Sequence, residues 1–436
     1  MLPDDFNLLN RNNDPEELRQ LYADLRSRCP VAHSSDYGGV WTLTRHADIA
    51  AAAQNSALFI SSVTAVVPSD PRGKFIPPFH TAPSSLSPPF SPPPFFILPH
   101  CCALPRIPPS FPGLRRPPLN FDAPNHTPFR TALDRTLKPA RLHHLEERLR
   151  VHSLNQLQPM LDAGGGDIAA EFGCRFPAFS ATSWLNLDDE VAPLLGETGA
   201  AWVNAWREQK GDIVAQHSQT LYQMARELVA DRKVNPREPD IDPASSLLLE
   251  RPGPNGEPLA EEHIVGALRQ CLVVGLVAPP LLLASICRHL ALDRDLQQEL
   301  RDNLQDVPAA VEEFIRLYSP YRGFARTVKE PVTLHGRTIN TGEPVTMTYC
   351  AANRDPEVFP DPDAFILHRP NISQHLGFGK GRHRCAGMQL ARLMIQVAVH
   401  DLLAETDSIE MTGECQGAMM PELGYISCPV RLVKRS

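Results

Sequence analysis

The chain has 436 residues, of which 42% are hydrophobic and 21% are charged. This composition is typical of a folded chain with a large core, and it excludes a wholly disordered protein and a multi-span membrane protein. With 42 basic and 50 acidic residues the net charge is −8, so bulk electrostatics gives no support to nucleic-acid binding. The ten cysteines form no CxxC pairs, which argues against a disulfide framework or a tetrahedral zinc site.

Helical patterns predominate along the chain. Residues 1–6 carry neither the basic nor the apolar region of a targeting signal, so we expect an intracellular protein. The spacing of apolar residues predicts helical segments at 15–25, 46–54, 126–161, 197–231, 261–328 and 385–403. Alternating or β-branched runs predict short strands at 40–44, 332–336 and 345–348.

The segment from Cys271 to Cys287 contains no charged residue. It is shorter than the run of about 20 apolar residues that crosses a membrane, and Pro279 and Pro280 interrupt it. We therefore predict one long buried core helix. Because proline has no N–H, each of the two would leave a carbonyl in the helix interior without its usual partner.

The segment 73–113 differs from the rest of the chain. It contains 13 of the 44 prolines and 6 of the 18 phenylalanines, and no Asp or Glu. Read as protein, it is a polyproline-type loop that cannot bury a core, and a structureless loop of this length is uncommon inside a compact domain. Pro, Ser, Phe and Leu have pyrimidine-rich codons, and the two ends of the segment can be encoded by splice-site sequences.

Our hypothesis is that this segment is an intron translated in frame, or an error in the gene model. Splicing would fuse the codons of Gly73 and Gly113 and leave 436 − 40 = 396 residues. The gene would then come from an intron-bearing eukaryote. The alternative is a genuine proline-rich insertion, and sequencing the transcript distinguishes the two.

The strongest motif is FGKGRHRCAG at residues 378–387. Glycines at 379 and 381 allow a tight turn whose backbone approaches a flat partner closely. Cys385 stands at the predicted start of the last helix, where backbone N–H groups and the helix dipole favour a thiolate. Such a thiolate suits an axial iron ligand, and His383 can reach a carboxylate at the edge of a macrocycle. A buried structural cysteine is the alternative.

Six positions match the pattern F-G-x-G-x-H-x-C-x-G, and through them the sequence resembles the cytochrome P-450 superfamily of haem-thiolate oxygenases. The resemblance implies haem b as the cofactor and Cys385 as its proximal iron ligand. It also implies a mainly α fold with small β-sheets. We expect a single haem-binding domain over residues 1–436, with the segment 73–113 as an insertion inside it.

The resemblance extends over most of the chain. Glu313 and Arg316 match the family's E-x-x-R, and Arg369 stands where the family has the third member of this structural ion triad. Charges three residues apart share one helix face, so the pair alone would be a weak signal. The pair becomes informative because the Cys motif follows it at the distance usual in the family.

Four cations are candidate ligands of the haem propionates. His126 and Arg130 resemble the H-x-x-x-R of the family's soluble bacterial-type members, and Arg326 resembles another propionate-binding arginine. Together with His383 they would converge on two carboxylates. Each residue taken singly is more often a plain surface charge.

One departure from the family pattern lies in the internal helix. The family usually has an acid and an alcohol there, which organise water for proton delivery during oxygen activation. Here Gly275 matches the family's glycine, but Val277 and Ala278 supply neither group. Gly275 and Ala278 are therefore candidate oxygen-site residues that lack the usual pair. Our hypothesis is that carbonyls freed by the prolines hold ordered water instead, and the alternative is a kink that merely shapes the pocket.

The resemblance implies a monooxygenase that oxidises a small organic substrate with O2 and electrons from NAD(P)H, for example in secondary metabolism. An apolar or aromatic substrate is expected from the resemblance of Leu276, Ala278, Tyr321, Phe324 and Tyr425 to pocket positions. A peroxide-dependent peroxygenase is one alternative, although such members carry an arginine where this chain has Val277 or Ala278. A non-catalytic haem-binding protein is the other.

Electrons would arrive through a separate redox partner, since the chain shows no flavin or iron–sulfur signature. Residues 364–400 contain no acidic residue and five basic ones: Arg369, Lys380, Arg382, Arg384 and Arg392. We expect part of this charge to dock an acidic ferredoxin or flavodoxin, which a reductase supplies. We also expect a cytoplasmic monomer without a membrane anchor.

Overall fold

The computed structural model describes residues 5–6, 14–36, 39–61, 117–208 and 210–435. The proposed insertion at 73–113 lies outside the described residues. Its interpretation as an intron therefore stays a prediction.

Helices dominate the described residues. They are α1 (Pro15–Arg28), α2 (His46–Gln54), α3 (Thr127–Thr136), α4 (Pro139–Leu142), α5 (Glu146–Ala163), α6 (Phe176–Trp184), α7 (Val191–Arg207), α8 (Gly211–Val234), α9 (Pro243–Leu249), α10 (Glu261–Val274), α11 (Ala278–Leu292), α12 (Arg294–Asp302), α13 (Val307–Leu317), α14 (Tyr349–Ala352) and α15 (Met388–Ala404). A π-helical segment, Ile168–Gly173, precedes α6.

The described residues also form four small sheets. Their strands are β1 (Val31–Ser34), β2 (Val40–Leu43), β3 (Phe59–Ile60), β4 (Gly165–Asp167), β5 (Phe324–Val328), β6 (Val332–Leu334), β7 (Arg337–Ile339), β8 (Pro344–Met347), β9 (Thr406–Met411), β10 (Gln416–Gly417), β11 (Tyr425–Ser427) and β12 (Pro429–Lys434). The largest sheet has the order β1-β2-β8-β5-β3, and only its β2–β8 pair is parallel. The others are β4-β12-β9, β6-β7 and β10-β11.

Local signals set the start of α1. The side chain of Asp14 accepts a hydrogen bond from the backbone N–H of Glu16 at 2.8 Å, and Pro15 occupies the first helical position. Both features favour a helix N-terminus. The buried residues recur three or four apart and so form one apolar stripe: Leu18, Leu21, Tyr22 and Leu25.

The main hydrophobic core lies among the long helices. Helix α15 packs against α5 and α13, and α10 packs against α8. A second cluster joins α2 to the five-stranded sheet. The loop that carries Cys385 contacts both clusters, since Gly381 packs on the backbone of α2 and Phe378 packs against the main core.

The prediction of one long helix through Pro279 and Pro280 is wrong. The structure has two helices, α10 and α11, separated by a turn at residues 275–277. Both prolines fall in the first turn of α11, where backbone N–H groups have no helical partner in any case. The sequence therefore breaks the helix where proline costs least.

The segment Glu261–Leu292 is long and apolar enough to cross a membrane by length and composition alone. In this structure 83% of its most apolar window is buried inside the protein. Such burial is expected of the core helices of a folded domain. The prediction of a buried apolar segment is therefore consistent with the packing.

The position of Cys385 relative to the last helix also differs from expectation. Helix α15 begins at Met388, with Gly387 before it. Cys385 lies in the preceding turn, outside the first helical turn. The helix dipole, which acts within the first turn, therefore contributes less than the sequence suggested.

Candidate functional site

The loop 378–387, here called the Cys loop, is shaped by two glycines. Gly379 and Gly381 have φ of +70° and +73°, values that residues with a Cβ rarely adopt. A Cβ on Gly381 would lie 2.1 Å from the carbonyl oxygen of Ala53, so this turn packs directly on the backbone of α2. The N–H of Cys385 donates to the carbonyl of Phe378 at 2.9 Å, which closes the loop.

Cys385 is held at the end of this loop with its sulfur accessible. The surrounding protein still desolvates the thiol, and this burial raises its pKa. The backbone N–H of Gly387 and the charges of Arg130, Arg384 and Arg392 act in the opposite direction. A side chain that is accessible yet largely surrounded by protein fits the wall of an internal cleft. An N–H donor at its sulfur suits a ligating thiolate.

Two residues of the α3 region lie against the Cys loop. The ring of His126 lies 4.5 Å from that of His383, centroid to centroid. Arg130 donates from Nη1 to the carbonyls of Arg382 and Arg384, at 2.9 and 2.8 Å. The start of α3 is thereby tied to the loop on both sides of His383.

Burial and positive charge dominate the surroundings of His126. Its side chain is buried, and Nε2 finds no hydrogen-bond partner among the described residues. Burial, followed by the charges of His383 and Arg130, lowers the pKa of His126 to about 3. A buried nitrogen without a partner, set among cations, fits an anionic group that the chain does not itself supply.

Arg326, on β5, belongs to the same cluster. It donates from Nη1 to the carbonyl of Ala325 at 2.9 Å. Burial lowers the pKa of His383, and the charge of Arg326 also lowers it, while Asp122 acts against both. The Asp122 carboxylate lies 3.4 Å from His383 Nε2. The four predicted residues therefore lie near one another, with Asp122 beside His383 and Asp134 paired with Arg130, and they fit the two propionates of a haem.

The predicted ion triad is also brought together. Glu313 accepts from Arg316 Nη2 at 2.7 Å and from Arg369 Nε at 2.9 Å. Burial would raise the pKa of Glu313, but these two arginines hold it below its usual value. All three side chains are buried. Other N–H groups of the two arginines donate to carbonyls at 353 and 360–364, which joins α13 to the chain leading into the Cys loop.

The turn between α10 and α11 presents one open face. Val274 is 46% exposed, and Gly275 and Ala278 are partly exposed, whereas Leu276 and Val277 are buried. A Cβ built on Gly275 would meet no atom within 4 Å. Positions 274, 275 and 278 therefore form the accessible face of this turn between two buried helices.

The other candidate pocket residues lie in two different parts of the structure. The rings of Tyr321 and Phe324 lie 5.0 Å apart, and burial together with nearby Glu422 raises the pKa of Tyr321. Tyr425 instead lies under Arg288, whose guanidinium is 5.2 Å from the ring centre. That tyrosine borders a different cleft, which residues of α1 also line.

Two polar contacts near the site have no motif in the sequence. Arg392 binds Glu312 through two hydrogen bonds of 2.6 and 2.7 Å, and His375 lies 3.2 Å from the same carboxylate. Arg207, the last residue of α7, binds buried Glu422 at 2.8 and 3.2 Å. The partners are 80 and 215 positions apart, so only the fold brings them together.

Comparisons with known proteins identify the family of the chain. The profile of the family described as cytochrome P-450 matches residues 282–422. Cytochrome P-450 109 of Bacillus spizizenii is 30% identical over 299 residues, which cover 67% of this chain and 72% of that protein. Cyclomarin C epoxidase CymV of Salinispora arenicola is 26% identical over 404 residues, covering 91% and 90%.

The fold agrees as well. The structure of cytochrome P-450 CYP109Q5 from Chondromyces apiculatus matches with a TM-score of 0.80 and 21% identity, covering 99% of both chains. The predicted mainly α fold with small sheets is thus confirmed. The prediction of a monooxygenase is confirmed too, and neither alternative function is favoured. The chain therefore belongs to the cytochrome P-450 family of haem-thiolate monooxygenases.

Proposed function

We propose that Cys385 is the proximal iron ligand of a bound haem b. The observation that carries the proposal is the exposed Cys385 at the end of the glycine-shaped Cys loop, which the hydrogen bond from its N–H to the Phe378 carbonyl closes. Hydrogen bonds to a ligating sulfur moderate its electron donation. When bound, the haem supplies the redox-active iron at which dioxygen is activated.

His126, Arg130, Arg326 and His383 would hold the two propionates. The guanidinium groups of Arg130 and Arg326 and the unpartnered Nε2 of His126 support this role. Charge-assisted hydrogen bonds to a carboxylate are about twice as strong as neutral ones. An anion here would also stabilise the protonated form of His126, so haem binding would be accompanied by proton uptake.

Glu313, Arg316 and Arg369 have a structural role in this proposal. They fix the chain that leads into the Cys loop relative to α13. Breaking a buried ion pair by removing one partner costs about 3–5 kcal/mol. Loss of Glu313 would therefore destabilise the Cys loop, and any effect on substrate binding would follow from that change.

Gly275 and Ala278 would border the side at which oxygen and substrate bind. The carbonyls of Gly275 and Leu276 cannot receive helical N–H bonds, because residues 279 and 280 are prolines. Carbonyls without such partners bind water when space allows, and Gly275 is partly exposed with open space beside its Cα. We assign proton delivery at this turn to that water.

The substrate would be small and mainly apolar, with Leu276, Tyr321 and Phe324 in the wall of its pocket. The support is that these side chains are apolar or aromatic and close to the α10–α11 turn or to β5. The protein would act in the cytoplasm as a monomer and use separate electron-transfer proteins.

The test of the central assignment is a carbon-monoxide difference spectrum of the reduced holoprotein. We expect the red-shifted band of thiolate ligation in the full chain and in a version without residues 74–113. Cys385→Ser should abolish the band, while the control Cys29→Ser should keep it. A folded, haem-loaded chain without this band, or its persistence in Cys385→Ser, would overturn the proposal.

A further inference from the structure

Three cysteines meet at the base of the β10–β11 hairpin, away from the Cys loop. Cys415 precedes β10, Cys428 follows β11, and Cys287 lies on α11. Cys415 is half-buried and the other two are buried. The described residues contain no group of His, Cys, Asp or Glu arranged to hold a metal ion. The chemistry open to this cluster is therefore that of thiols.

The hairpin places two of these thiols face to face. Gln416 pairs with Ser427 in the antiparallel register, so Cys415 stands opposite Cys428 one position beyond. Opposite residues of antiparallel strands have Cα atoms about 4.5–5.5 Å apart, within the roughly 4.4–6.8 Å that a disulfide requires. The two thiols are also close enough to shift each other's pKa. Bridging them would need little backbone movement.

The two thiols have different chemical environments. The interaction with Cys428 lowers the pKa of Cys415, and the charge of Arg288 lowers it further, whereas burial raises it. The same interaction, together with burial, raises the pKa of Cys428. Cys428 is also fixed in place, because its N–H donates to Asp167 Oδ1 and its carbonyl accepts from Ile168, both at 3.1 Å. Cys415 is thus the better nucleophile, and Cys428 is a held second thiol.

We propose that Cys415 and Cys428 form a reversible dithiol–disulfide pair that reacts with hydrogen peroxide. The Cys415 thiolate attacks the peroxide, the O–O bond breaks, and a sulfenic acid and hydroxide form. The Cys428 sulfur then attacks the Cys415 sulfur, the S–O bond breaks, and the disulfide forms. Two electrons leave the two sulfurs, and with both thiol protons the two peroxide oxygens become two water molecules.

The disulfide would close a ring over residues 415–428. That ring contains Glu422, which binds Arg207 at the end of α7. The modification would therefore fix a loop that contacts α7 and, through a bridge between Glu422 and Tyr321, the chain before β5.

The experiment treats the reduced holoprotein with a small excess of hydrogen peroxide, blocks remaining thiols by alkylation and maps them by mass spectrometry. We expect one cross-linked peptide that joins Cys415 to Cys428 and is reversed by dithiothreitol. Cys174 is the matched control, because it is also half-buried but burial raises its pKa. Cys415 should be oxidised about tenfold faster than Cys174, owing to its larger thiolate fraction.

Two variants separate the roles of the thiols. In Cys428→Ser, Cys415 should stop at a sulfenic acid that dimedone traps. In Cys415→Ser, Cys428 should remain reduced. Equal oxidation of Cys174 and Cys415, over-oxidised Cys415 beside a free Cys428, or a link from Cys415 to Cys287 would overturn the proposal.

Discussion

Two adjacent glutamates of α13 serve different parts of the molecule. Glu313 is buried and binds Arg316 and Arg369, as the E-x-x-R resemblance led us to expect. Glu312 faces Arg392 of α15 and His375, a contact that no motif indicated. The two neighbours thus differ: a sequence motif predicts the partners of Glu313, whereas only the packing of the helices shows the partners of Glu312.

The Glu312 contact predicts a pH-dependent stability. Burial would raise its pKa, but the hydrogen bonds from His375 and Arg392 hold it at about 2. A depressed carboxyl pKa stabilises the fold above the unfolded value of 4.5, and this stabilisation is lost as the pH falls towards 2. Urea unfolding should show that the wild type loses about 1–2 kcal/mol more than Glu312→Gln between pH 7 and pH 3.5. Parallel losses in the two proteins would contradict this.

Substitutions of Ala278 test whether water bound at the α10–α11 turn delivers protons. Ala278→Thr restores the alcohol usual in the family, and Ala278→Val has the same shape without the hydroxyl. If water on the backbone carbonyls delivers protons, both variants should lower the coupling of NADPH oxidation to product or leave it level, because both displace water. Coupling is measured with a ligand found by spectral screening. A large gain in coupling in Ala278→Thr but not in Ala278→Val would show that water at this turn does not replace the missing hydroxyl.

At the scale of elements, one buried ion pair joins the end of α7 to the loop between β10 and β11. Arg207 is largely buried and Glu422 wholly so. Burial raises the pKa of Glu422, against the effect of Arg207. Removing the arginine would leave a buried carboxylate without its charge partner.

We expect Arg207→Met to lower the free energy of unfolding by about 3 kcal/mol at pH 8. The loss should shrink as the pH falls through the raised pKa of Glu422, because the protonated form needs no partner. Adding Glu422→Gln should recover part of the loss at pH 8. The exposed pair Arg431–Glu410 provides the control, since Arg431→Met should cost under about 1 kcal/mol. A loss that does not vary between pH 5 and 8 would exclude this explanation.

At the scale of the whole molecule, the basic residues around the Cys loop divide into two groups. Arg369 is buried in the ion triad, and Arg392 is bound to Glu312. Arg382 and Arg384 are exposed and Lys380 is partly so. The surface available to an acidic redox partner is therefore smaller than the sequence count suggested, and it surrounds Cys385.

This surface predicts salt-dependent reduction. The rate of reduction by an acidic ferredoxin and its reductase should fall as salt rises, because screening at physiological salt acts over about 8 Å. Replacing Lys380, Arg382 and Arg384 by Gln should slow reduction about tenfold at low salt and flatten the salt dependence. The same change at exposed Arg431, Lys434 and Arg435 should leave the rate unchanged. Reduction independent of salt would count against the surface.

The sequence by itself determined the family and predicted the cysteine and the Glu313–Arg316 pair, because each depends on residues close together in a fixed motif. The Cys motif spans ten residues, and the E-x-x-R is a local helix pattern. Local chemistry also determined the position of α1, through its cap and its apolar stripe.

Only the tertiary structure decided the rest. It showed the helix break at residues 275–277, so that Pro279 and Pro280 stand at a helix start instead of a helix interior. It also decided which basic residues remain exposed, it paired Arg207 with Glu422, and it placed Cys415 near Cys428. The physical reason is that burial and charge pairing depend on partners far apart in the chain, which no local pattern records.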